Sequence, residues 1–158
     1  MKKLAIILFL GGFIAACGGG AGSDVEATGP DNSVKSTDSG NPSYDPQRGE
    51  GKFTKVEIAE KLDAPMAETG EKVYGVKCSS CHKTTDEKLV GPGWKGVTGR
   101  HTAEWIMNFS TNTAVMLDKD PKAQAQLEIC LVRMPNQNLT DEDARSVYEF
   151  MRKNDGVK

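Results

Sequence analysis

Cys78-Ser79-Ser80-Cys81-His82 constrains this chain more than any other feature. Two cysteines three positions apart point the same way on a helical turn, and a histidine follows at once. That is the C-x-x-C-H pattern of haem attachment, in which both sulfurs form thioethers to the vinyl groups of one porphyrin and the histidine faces the iron as proximal ligand. Two other chemistries use part of the pattern. A thioredoxin-like redox pair needs its C-x-x-C within a βαβ unit, and no such alternation is present. A zinc site needs a second pair of ligands at short spacing, whereas only His101 and Cys130 remain, far apart. The pattern occurs once, so one covalent haem c with its iron is expected.

A chain of 158 residues supports one core once its N-terminal segments are set aside. Met1 to Cys17 reads as an export signal: Lys2 and Lys3 precede a short apolar run from Leu4 to Leu10 with Phe13 and Ile14. The run is too short to span a bilayer. Ile14-Ala15-Ala16-Cys17 resembles a lipobox, which makes Cys17 the lipid-attachment residue and the first mature residue, and domain 1–17 a lipoprotein signal peptide. The competing reading is a buried Cys in a short apolar helix, but nothing around Gly18 to Ser23 could bury one. Removing Lys2 and Lys3 takes the formal charge from -2 to -4, so no nucleic-acid partner is implied. Membrane association is expected through the lipid alone.

Residues 18–50 are Gly, Ser, Asp, Asn, Thr and Pro with almost no large apolar side chain, too little to offset the entropy of ordering. They read as a flexible tether spanning roughly 30 Å on average. The alternative is a structured arm, docked by Tyr44, its single aromatic residue. The folded domain is expected over 51–158, with its core from about Phe53 to Lys153.

From Ala67 to Met151 the chain resembles the class I c-type cytochromes. Gly70-Glu71-Lys72-Val73-Tyr74, opened by Thr69 as an N-cap, looks like their N-terminal helix. Leu89-Val90-Gly91-Pro92-Gly93-Trp94-Lys95-Gly96-Val97-Thr98-Gly99-Arg100 is similar to their G-P-x-L-x-G-x-x-G-R loop, with Trp94 where Leu is commoner. Trp105 stands early in a helix expected over Thr102–Phe109. Met134-Pro135-Asn136-Gln137-Asn138-Leu139-Thr140-Asp141-Glu142-Asp143 resembles their M-P-x-x-x-L-T-D-E-D run. Ala144, Val147, Tyr148 and Met151 then follow helical spacing behind an acidic first turn.

The resemblance implies an all-α cytochrome c fold, three to five helices around one covalently attached haem c. It implies Met134 as distal axial ligand, a Pro92 carbonyl bonded to the His82 ring, and Arg100 and Trp105 near a haem propionate. It also puts Tyr148 near Tyr74 and Gly70 where the last helix crosses the first. Met66, Met107, Met116 and Met151 are the other methionines of the mature chain, and Met107 and Met116 read as core. His101 is the rival ligand of another type. Cys130 is expected as a buried small hydrophobe on the apolar side of a helix from Asp120-Pro121 to Arg133, beside Leu127 and Leu131, with a regulatory thiol or an intermolecular disulfide as the alternatives. Leu89, Val90, Trp94, Val97, Ile106 and Leu139 are expected to keep water from the iron.

The implied activity is single-electron carriage between a redox donor and acceptor on the periplasmic side of a membrane, and no enzyme. The Met134-Pro135 run and the anchor resemble small cytochromes serving terminal reductases, a nitrous oxide reductase among them. Gly18 after Cys17 favours the outer membrane. A haem enzyme or gas sensor with an open sixth position, and a thiol-disulfide exchange lipoprotein, are the readings from other classes.

Overall fold

In the computed structural model, residues 44–158 are described. Cys17, the signal segment and the tether up to residue 43 lie outside the described residues. Six helices are present among them, one more than the upper expectation, and the sole strand-like feature is an isolated bridge between His82 and Lys88. None is long and apolar enough to cross a membrane.

Helix α1, Ala64–Lys77, starts where the Asp63 side chain accepts the Met66 N–H at 3.0 Å and Pro65 presets the first turn. Thr69, expected as the cap, is inside the helix, and its hydroxyl donates to the Pro65 carbonyl one turn back. The last helix, α6, is Asp141–Asn154. Its capping box joins Thr140 Oγ1 to the Asp143 N–H at 3.0 Å and Asp143 Oδ2 to the Thr140 N–H at 3.3 Å.

These two helices make the most extensive pairing in the fold. They approach so closely at Gly70 that a Cβ there would collide with the Ser146 carbonyl. Tyr74 meets the Phe150 ring, at 5.2 Å between ring centroids, where the Tyr148 ring was expected. The other face of α6 is also covered. Glu149 and Arg152 are buried there, with the Glu149 carboxylate accepting from the Asp63 N–H and Arg152 donating to the carbonyls of Ala59 and Glu60.

Helix α2 is the single turn Val97–Arg100, its first N–H groups received by the Asp155 carboxylate from beyond α6. Helix α3, Ala103–Thr111, is capped by Thr102 and buries Trp105, Ile106 and Met107. Helix α4, Thr113–Lys119, was not foreseen, and buries Met116 and Leu117. The Met107 and Met116 side chains are core, as their helical positions suggested. Helix α5, Pro121–Cys130, has Asp120 as cap and Pro121 at its start. It ends three residues short of Arg133 because Leu131 turns left-handed at φ 60° and points outward, 83% exposed. Leu131 therefore does not share an apolar stripe with Cys130, which is half-buried.

The expected boundary at residue 50 falls inside packed chain. Residues 44–50 lie on α3, α4 and α5: the Tyr44 hydroxyl donates to Asp120, and Asn108 and Asn112 donate to the carbonyls of Arg48 and Glu50.

Candidate haem site

The C-x-x-C-H segment continues the axis of α1. The Cys78 N–H still bonds the Tyr74 carbonyl, and the His82 N–H bonds the Cys78 carbonyl at 2.9 Å, an i to i−4 bond that sets both cysteines on one helical turn. The following loop folds back on it: the Gly91 N–H donates to Cys81 O at 2.9 Å and the Trp94 N–H to Lys83 O at 2.9 Å. Tyr74 fixes the turn from within, its hydroxyl donating to the His82 carbonyl at 2.7 Å.

The loop places the Pro92 carbonyl 2.9 Å from His82 Nδ1. A carbonyl only accepts, so Nδ1 carries the ring proton and Nε2 keeps a free lone pair. Burial holds the His82 pKa below its usual value, with the Pro92 bond acting in the opposite sense, and the ring stays neutral at pH 7, as a metal ligand must be. Gly91 was not singled out from the sequence as a site residue, yet any side chain there would strike the His82 ring, so the glycine is what admits the imidazole. The ring packs 5.6 Å from buried Trp94.

Two adjoining cavities meet at His82. The first, about 520 Å³ with its open mouth, is lined by Cys81, His82, Val90, Cys130, Val132 and Met134, among others. The second, about 860 Å³ with its open mouth, takes in Cys78, His82, Trp94, Arg100, His101, Trp105 and Met134, among others. Pro92 and Met134 border both. All the site residues inferred from the sequence thus border one or both of these cavities, except Cys17, which lies outside the described residues. Phe109 and Gln126 also border both cavities and carried no motif that marked them.

The Trp105 indole N–H, the one donor on that ring, bonds Asp120 Oδ2 at 3.0 Å, and the residue lines the larger cavity. Arg100 curls over its own loop, donating to the carbonyls of Lys95 at 2.6 Å and Gly93 at 3.4 Å while bordering the larger cavity. Leu89 lines neither cavity and is 48% exposed, whereas Trp94, Val97, Ile106 and Leu139 form apolar wall. His101 stacks on Trp105 at 4.0 Å, with Nε2 3.3 Å from the Gln126 amide and Nδ1 buried without a partner. Burial, then the charges of Lys122 and Arg100, bring its pKa down to about 4.

The donor set fits haem c. Two unpaired thiols precede a neutral imidazole, and His82 and Met134 both border the two mainly apolar cavities. Cys78 does not fit disulfide exchange, because burial pushes its thiol up to about 11, opposite to the depressed pKa of a reactive thiol. Nor does any cluster of three His, Cys, Asp or Glu among the described residues suit a bare metal ion.

The cytochrome c family model matches residues 67–155, more than half of the chain. The chain belongs to the cytochrome c family. Its cofactor is accordingly covalently bound haem c, and its chemistry is haem-based electron transfer. The solved cytochrome c from Rhodothermus marinus is 30% identical over 66% of this chain and 90% of that one, with a TM-score of 0.64. An engineered form of that cytochrome is 28% identical with a TM-score of 0.64, and one bound to a carbene intermediate is 28% identical with a TM-score of 0.61. No curated protein matches this cytochrome.

Proposed function

We propose that this cytochrome is a single-electron carrier whose haem is held by thioethers to Cys78 and Cys81 and ligated axially by His82 and Met134. The observation that carries the reading is the common cavity border of His82 and Met134, with His82 Nδ1 committed to Pro92 and Nε2 left for the iron. Haem c supplies reversible one-electron exchange at iron, and Met ligation favours a higher reduction potential than a second His would give. His101 borders the larger cavity as well, but it is the poorer ligand, since it does not border the smaller one, its ring is stacked on Trp105, Nε2 meets the Gln126 amide and Nδ1 is buried.

The chain's own residues then do three things. Pro92 and Gly91 orient the imidazole, one by hydrogen bond and one by leaving room. Trp94, Val97, Ile106 and Leu139 exclude water from the space between the ligands. Val90 and Val132 stand exposed where Cys81 borders the smaller cavity, and offer redox partners the small apolar contact that brief encounters use.

The location is part of the proposal. The export signal and Cys17 support lipid anchoring on the periplasmic side, with Gly18 favouring the outer membrane, and the Met134-Pro135 run supports a terminal reductase such as a nitrous oxide reductase as acceptor. Carbon monoxide addition to the reduced, haem-loaded protein tests the closed iron: no spectral change is expected, and ready binding at neutral pH would refute the ligand set and favour a sensor or enzyme. Respiration on nitrous oxide in a deletion strain tests the partner; unchanged rates would sink it.

A further inference from the structure

Residues Tyr44 to Phe53 lie outside the matched family region and border neither cavity, yet they bond to the most deeply buried side chains of the domain. Asp120, Asn108 and Met116 are fully buried. Asn108 Nδ2 donates to the carbonyls of Arg48 and Phe53 at 2.9 Å each, and its Oδ1 accepts from the Phe53 N–H at 3.0 Å. The Glu50 N–H points at Met116 Sδ, 3.0 Å away. Asp120 is the hub. Its Oδ2 takes the Tyr44 hydroxyl and the Trp105 indole N–H, and its Oδ1 takes the Ala123 N–H at 2.7 Å. One buried carboxylate therefore joins this segment, the cavity wall at Trp105 and the first turn of α5.

Helix α5 depends on that junction. Only Ala123 of its residues is buried, and its main helix neighbour is the short α4. Apolar burial, which scales with area, holds it weakly. At its far end it relies on exposed polar contacts, Lys88 Nζ on the Ile129 carbonyl and Arg133 on Asp118, each at 2.8 Å, which are worth little in water. Yet Ala123, Leu127 and Cys130 border the smaller cavity, and Met134 follows four residues after the helix ends.

We propose that residues 44–53 are a strap, fastened through Tyr44 and Asp120, that holds α5 and so positions the Met134 segment at the haem cavity. Tyr44 and Asp120 are positioning residues for distal ligation. The proposal deepens the electron-carrier reading and rests on its choice of Met134.

The test uses the full, haem-loaded chain and two variants: Tyr44→Phe, which keeps the ring and removes the hydroxyl, and Asp120→Asn, which keeps shape and removes charge. Amide hydrogen exchange is followed in α5 and in α1 and α6, and the near-infrared sulfur-to-iron band of the oxidised protein is followed through a urea titration alongside helical circular dichroism. Losing a hydrogen bond to a charged acceptor speeds α5 exchange about tenfold or more. Exchange in α1 and α6 stays unchanged, and the variants lose the sulfur band at lower urea than they lose helicity. Equal acceleration in all three helices, or none in α5, overturns the strap. A wild type without the sulfur band overturns the Met134 assignment and the positioning role with it, whatever the exchange pattern, so the two failures are told apart.

Discussion

Replacing Glu149 tests the least conventional part of this core. Its carboxylate is fully buried yet receives Arg145 at 2.6 Å, Arg152 at 2.7 Å and the Asp63 N–H at 2.9 Å. Glu149→Ala leaves the buried Arg152 guanidinium with only the Ala59 and Glu60 carbonyls, and stranding a buried charge costs about 3–5 kcal/mol. Glu149→Gln keeps the shape and some of the bonds, and loses the charge assistance, about 2 kcal/mol. With a urea dependence of about 1–3 kcal/mol per molar, the Gln variant's midpoint falls by about 1 M.

The pH dependence gives a second check on the same residue. Burial by itself raises the Glu149 pKa, and the bonds from Asp63, Arg145 and Arg152 more than reverse this, leaving it below its ordinary value. A folded pKa below the unfolded one gives stability that is present above about pH 4.3 and lost as pH falls through the folded value. The gap between wild type and Glu149→Gln in urea midpoint therefore narrows below about pH 4, measured by circular dichroism on the haem-loaded proteins so that acid effects on the haem site are shared. A gap under about 0.5 kcal/mol at pH 7, or one that does not change with pH, would refute the reasoning.

Gly70→Ala forces α1 away from the Ser146 carbonyl, and a fall in thermal stability of at least about 2 kcal/mol is expected. Gly91→Ala pushes into the His82 ring, so its visible spectrum at neutral pH changes while the helix content is kept; an unaltered spectrum would argue that the ring has room to move. Leu131→Gly relieves the left-handed backbone at the end of α5 without losing burial, and raises the urea midpoint by an amount worth about 1 kcal/mol.

What the sequence made legible was what local chemistry writes down. Thr140 with Asp143, and Asp120 with Pro121, announce their helices because a cap and its acceptor are close in sequence. The haem-binding turn is legible for the same reason. Asp63-Ala64-Pro65 carries the same kind of signal as Asp120-Pro121 and outcompeted Thr69, whose hydroxyl is satisfied inside the helix by Pro65. Of its own residues the strap had only Tyr44 to announce it, because they bear no apolar pattern: its order comes from distant helices, where Asn108 and Asn112 donate to its backbone carbonyls and Asp120 accepts the Tyr44 hydroxyl. A buried Asn in the apolar helix α3 was the available hint. The Trp105 indole went to Asp120 and the Tyr74 ring to Phe150 for a related reason, that such pairings depend on how helices cross, which no motif spacing records.

The most direct measurement is the near-infrared spectrum of the oxidised, haem-loaded full chain beside that of Met134→Ala. The account predicts a sulfur-to-iron band in the wild type and its loss in the variant, with the covalent pigment intact in both. A band that survives Met134→Ala, or a wild type that lacks it, would contradict His82 and Met134 as the pair that closes the iron.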